Sequence, residues 1–119
     1  MALSGLNALK ISGKEVLPLI EGGKGVSITT GASSGAWAAA GGVGTVSCVN
    51  ADFYDGSGNI VPQIYGGKNR KERHEELIEF AIKGAIAQVR EAYERSNGNG
   101  RIHMNVLWEM GGAERVLHE

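Results

Sequence analysis

Residues 16–50 read VLPLIEGGKGVSITTGASSGAWAAAGGVGTVSCVN, and this stretch decides the fold. Leu19 and Ile20 form a short apolar strand, spanning about 18–22, that stops at Gly22-Gly23. Pro18 lacks an amide hydrogen and suits the start of that strand. A small-residue helix follows over 31–40, with Ser33 or Ser34 as its cap, and Gly41-Gly42 ends it. A second strand, 45–49, is β-branched and apolar on both faces, as parallel strands with cover on each side are. The order strand, helix, strand predicts a parallel unit. Bare backbone lies exposed where the first strand ends, which is where ligands sit in such folds. Trp37 is the one large side chain of the first helix and is expected to bury.

Outward from this unit, residues 8–16 alternate polar and apolar around Ser12-Gly13-Lys14 and predict a small hairpin. Residues 50–68 form a loop long enough to be functional or mobile, with a tight turn at Asp55-Gly56-Ser57-Gly58-Asn59. A long helix is predicted over 69–96 from the 3.6-residue recurrence of Leu77, Ile78, Ala81, Ile82, Ala85, Ile86, Val89 and Tyr93. Glu79 with Lys83, and Glu91 with Arg95, are acid-to-base pairs on its wet face. A third strand follows over 102–107, then a Gly111-Gly112 corner and a third helix over 112–118. The fold class is therefore α/β, built of successive parallel units.

The chain has 119 residues, enough for one domain burying roughly 65% of its extended surface. Twelve basic residues against thirteen acidic ones give no sign of nucleic-acid or anionic-membrane binding. No run approaches the ~20 apolar residues of a membrane span, and the start shows no signal peptide. A single cysteine, Cys48, excludes an internal disulfide and fits a cytoplasmic setting. Nineteen glycines, clustered at element ends, point to tight turns and close backbone approach.

The motif EGGKGVS, 21–27, stands between a strand and a helix. Glycines there let amides and carbonyls approach a phosphate or a planar ring; the same glycines could also simply turn a corner. The motif is not a dinucleotide fingerprint, because Ile28 stands where the third glycine is required. GGVG, 41–44, comes in the reverse context and reads as a corner. Gly67-Lys68 is no P-loop: Asn69 replaces the hydroxyl residue and Pro62 the first glycine. Lys24 could reach an anionic ligand or simply face solvent. Asn105, on a strand, could hold a cofactor edge or bond a neighbouring loop. His74, His103 and His118 match no zinc spacing, so no metal site is expected. His103 shares a strand face with Asn105 and reads as a hydrogen-bonded core or barrel-end histidine ahead of a ligand neighbour. Cys48 reads as a small buried residue rather than a nucleophile. The run KNRKERH, 68–74, reads as a solvated helix start.

Taken in order, PLIEGGKGVS, AWAAAGGVGTVS and HMNVLW resemble the amino-terminal part of the nitronate monooxygenases, or 2-nitropropane dioxygenase-like proteins. In that family a QGGMG-like corner, an AGGVG turn and a GVN-like strand asparagine follow one another. The resemblance covers the chain from Leu9 onward. It implies the first part of a TIM-type (β/α)8 barrel, incomplete in this chain, and FMN as cofactor. The cofactor-binding residues it implies are Gly22, Gly23, Lys24 and Asn105. Glu21 and Lys24 depart from the family's glutamine and methionine and would place charge beside the flavin. No residue here matches the family's catalytic histidine.

The implied activity belongs to the intact parent protein. An alkyl nitronate reduces the flavin, dioxygen reoxidises it, and the products are a carbonyl compound and nitrite. The partners are then a small-molecule substrate and dioxygen. Two alternatives stand beside this reading: another FMN barrel enzyme such as an enoyl-thioester reductase, or a truncated non-catalytic fragment. The chain on its own is expected to be inactive, to retain flavin poorly and to self-associate through open sheet edges.

Overall fold

Ser12 and Gly13 both adopt positive φ, 49° and 78°. That is the backbone a two-residue hairpin turn requires for its strands to keep their natural twist. In the structure, a computed structural model that describes residues 7–25, 28–107 and 112–118, this turn joins β1 (Leu9–Ile11) to β2 (Lys14–Val16). The two pair antiparallel, Leu9 against Val16. Of the sequence motifs, Val26 and Ser27 of the first corner, Trp108, and Gly111 lie outside the described residues.

The chain then runs through α1 (Gly31–Ala39), β3 (Val43–Ser47), α2 (Arg70–Ser96), β4 (Arg101–Asn105) and α3 (Ala113–His118). β3 and β4 are parallel and in register from Val43 opposite Arg101 to Ser47 opposite Asn105. This is a small α/β architecture with a parallel sheet.

The strand expected over 18–22 is reduced to a single parallel bridge, Ile20 with Val43. Pro18 causes this. It has no amide hydrogen to give, and the chain pinches around it, so that the Leu19 N–H bonds the Leu17 carbonyl at 2.7 Å. Among the described residues two backbone–backbone bonds, Glu21 N–H to the Val43 carbonyl and Val43 N–H to the Leu19 carbonyl, both 2.9 Å, join the segment to β3. The sheet order is nevertheless sequential: the 19–21 segment, β3, β4.

Thr30, not Ser33 or Ser34, caps α1. Its hydroxyl accepts from the Ser33 N–H at 3.2 Å while the Ser33 hydroxyl accepts from the Thr30 N–H at 3.0 Å. Two hydroxyl residues three positions apart in a reciprocal box outcompete either serine alone. Trp37, expected to bury, is 40% exposed. Its indole lies against Gly42 and its Nε1–H bonds the Leu19 carbonyl at 3.1 Å, so one edge is fixed while the ring face stays open.

α2 buries Ile78, Ala81, Ala85, Gln88 and Ala92. The stripe passes through Ala92, and Tyr93 is exposed. Glu91 and Arg95 form the expected pair at 3.0 Å. Lys83 instead lies over the Phe53 ring, 5.8 Å from its centroid. Val46, Cys48, Ala81, Ala85, Ala92 and Val116 make the core between sheet and helices, with Ile102 and Val106 packed on it. Gly44 is what lets α1 approach the sheet, because a Cβ there would strike the Ser34 carbonyl. Each valine buried in this layer contributes about 1.5–3 kcal/mol.

The loop over 50–68 carries its own excursion. Tyr54 bridges Ile60 antiparallel, and the Asp55 carboxylate accepts from the Ser57 and Asn59 amides at 2.8 and 3.0 Å, as an aspartate opening a turn does. No helix among the described residues is long and apolar enough to cross a membrane.

Candidate functional site

Parallel register puts the carboxyl ends of β3 and β4 side by side, with Ser47 next to Asn105. The corner after Ile20 folds over that end. The Ser47 hydroxyl donates to the Gly25 carbonyl at 2.5 Å, and the Ser47 N–H bonds the Thr29 carbonyl at 3.0 Å. The Asn105 side-chain amide donates to the Lys24 carbonyl. All three contacts end on loop carbonyls, two from side chains and one from the Ser47 backbone, so hydrogen bonds at the strand ends hold the corner down.

Gly23 is in van der Waals contact with Asn105: a Cβ there would lie 2.8 Å from Oδ1 and 2.9 Å from Cγ of that side chain. The structure thus brings together Gly22, Gly23, Lys24 and Asn105, the four residues that the family resemblance implies. With its Nδ2 given to the Lys24 carbonyl, Asn105 keeps Oδ1 as its remaining acceptor. Cβ atoms built on Gly22 and Gly25 meet nothing within 4 Å. The corner is bare backbone open to the outside, which suits approach by a flat ring. Lys24 folds back so that Nζ donates to the Gly22 carbonyl at 3.3 Å, and it has no acidic partner among the described residues.

Glu21 turns the other way. Its Oε1 accepts from the Ser34 hydroxyl and from the Thr45 N–H, both at 2.9 Å, and its own carbonyl accepts from the Thr45 hydroxyl at 2.6 Å. The side chain is 9% exposed. The carboxylate expected beside a flavin therefore faces the helix layer and ties α1 to β3, leaving Lys24 as the charged side chain of the corner.

Behind the corner, Gln88 was not anticipated. Its Oε1 accepts from the Gly31 N–H at 2.7 Å, and its Nε2 donates to the Asp52 carbonyl at 2.7 Å and to the Tyr54 hydroxyl at 3.1 Å. One buried amide thus joins the start of α1, the middle of α2 and the loop after β3. Its signal is legible in the sequence: a polar residue on the stripe Ala81, Ala85, Gln88, Ala92 must find partners once buried.

Cys48, also at this end of β3, is fully buried. Burial raises its thiol from 9.0 to about 11, so it stays protonated and is no nucleophile. No group of three or more His, Cys, Asp or Glu side chains that could hold a metal ion occurs among the described residues. Set against known protein families, characterised proteins and solved structures, the chain matches none.

Proposed function

We propose that this chain is the amino-terminal, FMN-contacting part of an oxidoreductase resembling the nitronate monooxygenases, the first units of a (β/α)8 barrel. The observation that carries this reading is the seating of the glycine corner on Asn105 at the carboxyl ends of adjacent parallel strands. That is the end of the sheet where parallel α/β proteins bind cofactors. The sequential strand order is the order of a barrel. Apolar side chains exposed along both sides, Leu19, Ile20 and Trp37 on one and Met104 and Leu107 on the other, support further units flanking the sheet, or self-association when they are absent.

In this reading Gly22 leaves room for the ring to lie on the backbone, and Gly23 makes room for the Asn105 side chain beside it. Asn105 Oδ1 accepts a hydrogen bond from the ring edge. The Lys24 ammonium, free to swing away from the Gly22 carbonyl, attracts negative charge on the ligand. The flavin, when bound, supplies the redox chemistry between an alkyl nitronate and dioxygen, whose products are a carbonyl compound and nitrite.

The test has two parts. Titrating FMN into the chain and following flavin fluorescence should show quenching that Asn105→Ala weakens; no quenching at high micromolar protein removes the proposal. Nitrite release from a nitroalkane anion by the longer protein then separates the activities: a bound flavin with no nitrite would point to a reductase.

A further inference from the structure

We propose that His103 is a further ligand-contacting residue of this rim, presenting its imidazole to the same flat anionic ligand; the inference rests on the flavin reading above.

β4 alternates its side chains between two faces. Ile102 and Val106 pack on the core, and Met104 lines a groove of about 420 Å³ with Val89, Tyr93 and Leu117. That face belongs to the helices. Arg101, His103 and Asn105 take the opposite face, beside Val43, Thr45 and Ser47 of β3. A parallel strand with cover on both sides carries apolar residues, yet on this face β4 presents only Arg101, His103 and Asn105.

Nearly every polar side chain on that face has an internal partner. Arg101 donates to the Ile11 and Ser12 carbonyls at 3.0 and 2.7 Å and so anchors the hairpin at the opposite end of the sheet. Thr45 bonds the Glu21 carbonyl, Ser47 the Gly25 carbonyl and Asn105 the Lys24 carbonyl. His103 is different: it is exposed and makes no hydrogen bond or ion pair among the described residues. It sits one step down the strand from Asn105 on the same face, about 7 Å away along a strand of ~3.3 Å rise. A group bound against Gly23 and Asn105 would be within reach of its ring. An imidazole offers one donor and one acceptor when neutral and two donors when charged, so it suits the carbonyl edge of a flavin or an oxyanion substrate.

The three histidines make the test internal. His74 lies on the first turns of α2 and His118 on α3, so neither is on this face. Imidazole signals of the chain are followed by NMR during separate titrations with FMN and with ethylnitronate, alongside flavin fluorescence. The expected result is that FMN moves the His103 signals and not those of His74 or His118, and that His103→Ala weakens FMN binding about fivefold, one ordinary hydrogen bond. As an exposed residue, His103 can be replaced without unfolding the chain, which circular dichroism checks. If FMN binds while the His103 signals and the affinity of His103→Ala are unchanged, the inference is overturned and the flavin reading stands. If FMN does not bind, the flavin reading falls and the inference falls with it, whatever ethylnitronate does to the His103 signals. If neither ligand moves His103, the inference is overturned.

Discussion

Gly23 and the side chain of Asn105 occupy complementary space: the place of a Cβ on the glycine lies 2.8 Å from the asparagine Oδ1. Neighbouring Lys24 accepts the other half of the same amide. Gly23→Ala must therefore push Asn105 off its carbonyl partner. A loss of about 1–3 kcal/mol is expected from either Gly23→Ala or Asn105→Ala, since each breaks the same bond. Urea unfolding of the double variant should fall short of the sum of the two, because residues in contact couple. Full additivity would show that the contact does not hold the corner.

Glu21 gives a second expectation. Glu21→Ala leaves the Ser34 hydroxyl and the Thr45 N–H without their acceptor in a buried place, at a cost of about 1–3 kcal/mol. Glu21→Gln keeps a carbonyl oxygen in position and should lose much less. Denaturant midpoints of the two variants measure the difference. Equal losses would mean that the negative charge, not the acceptor geometry, matters.

Gln88→Ala removes at once the acceptor of the Gly31 N–H and the donor to the Asp52 carbonyl and the Tyr54 hydroxyl. The expected loss, about 2–4 kcal/mol, is larger than for a single hydrogen bond. The amide of Gly31 should then exchange with solvent faster, and the 50–68 loop should become the first site of proteolytic nicking. An unchanged exchange rate at Gly31 would exclude Gln88 as the tie.

Cys48 sets a pH dependence. Its folded pKa, about 11, lies above its ordinary value of 9.0. The unfolded chain therefore loses this proton first as pH rises. Its contribution to stability is complete below pH 9.0 and is lost on the way to about 11. Urea midpoints across that range should fall for the native chain and fall less for Cys48→Ala. At pH 8 the native thiol should react with Ellman's reagent far more slowly than the urea-unfolded chain.

The alternation of strand and helix was legible because its signals are local: glycine corners, a 3.6-residue stripe and β-branched runs. The residues alone left Asn105 open between a cofactor edge and a bond to a neighbouring loop, and the structure shows the loop bond, to the Lys24 carbonyl. What the sequence hid depends on partners far along the chain. Glu21 looks like a surface charge until Ser34 and Thr45 close on it. Trp37 looks like core because its size demands cover, but the side of α1 on which it stands carries none here. The cap of α1 went to Thr30 because a reciprocal pair with Ser33 is visible only once the first turn is formed. Gln88 announces burial but not the Gly31, Asp52 and Tyr54 atoms it meets.

The pinch at Pro18 has a mechanical consequence. The Leu17 N–H still holds the Gly41 carbonyl, and beyond the proline two backbone bonds fasten the leading segment to β3, whereas β3 and β4 share a continuous ladder. The leading segment is therefore joined to the sheet at its root by two backbone bonds, while the corner beyond it is fastened by Glu21 to Ser34 and Thr45 and by the Ser47 and Asn105 side chains. A load on this corner therefore falls on side-chain hydrogen bonds before it reaches the β3–β4 ladder.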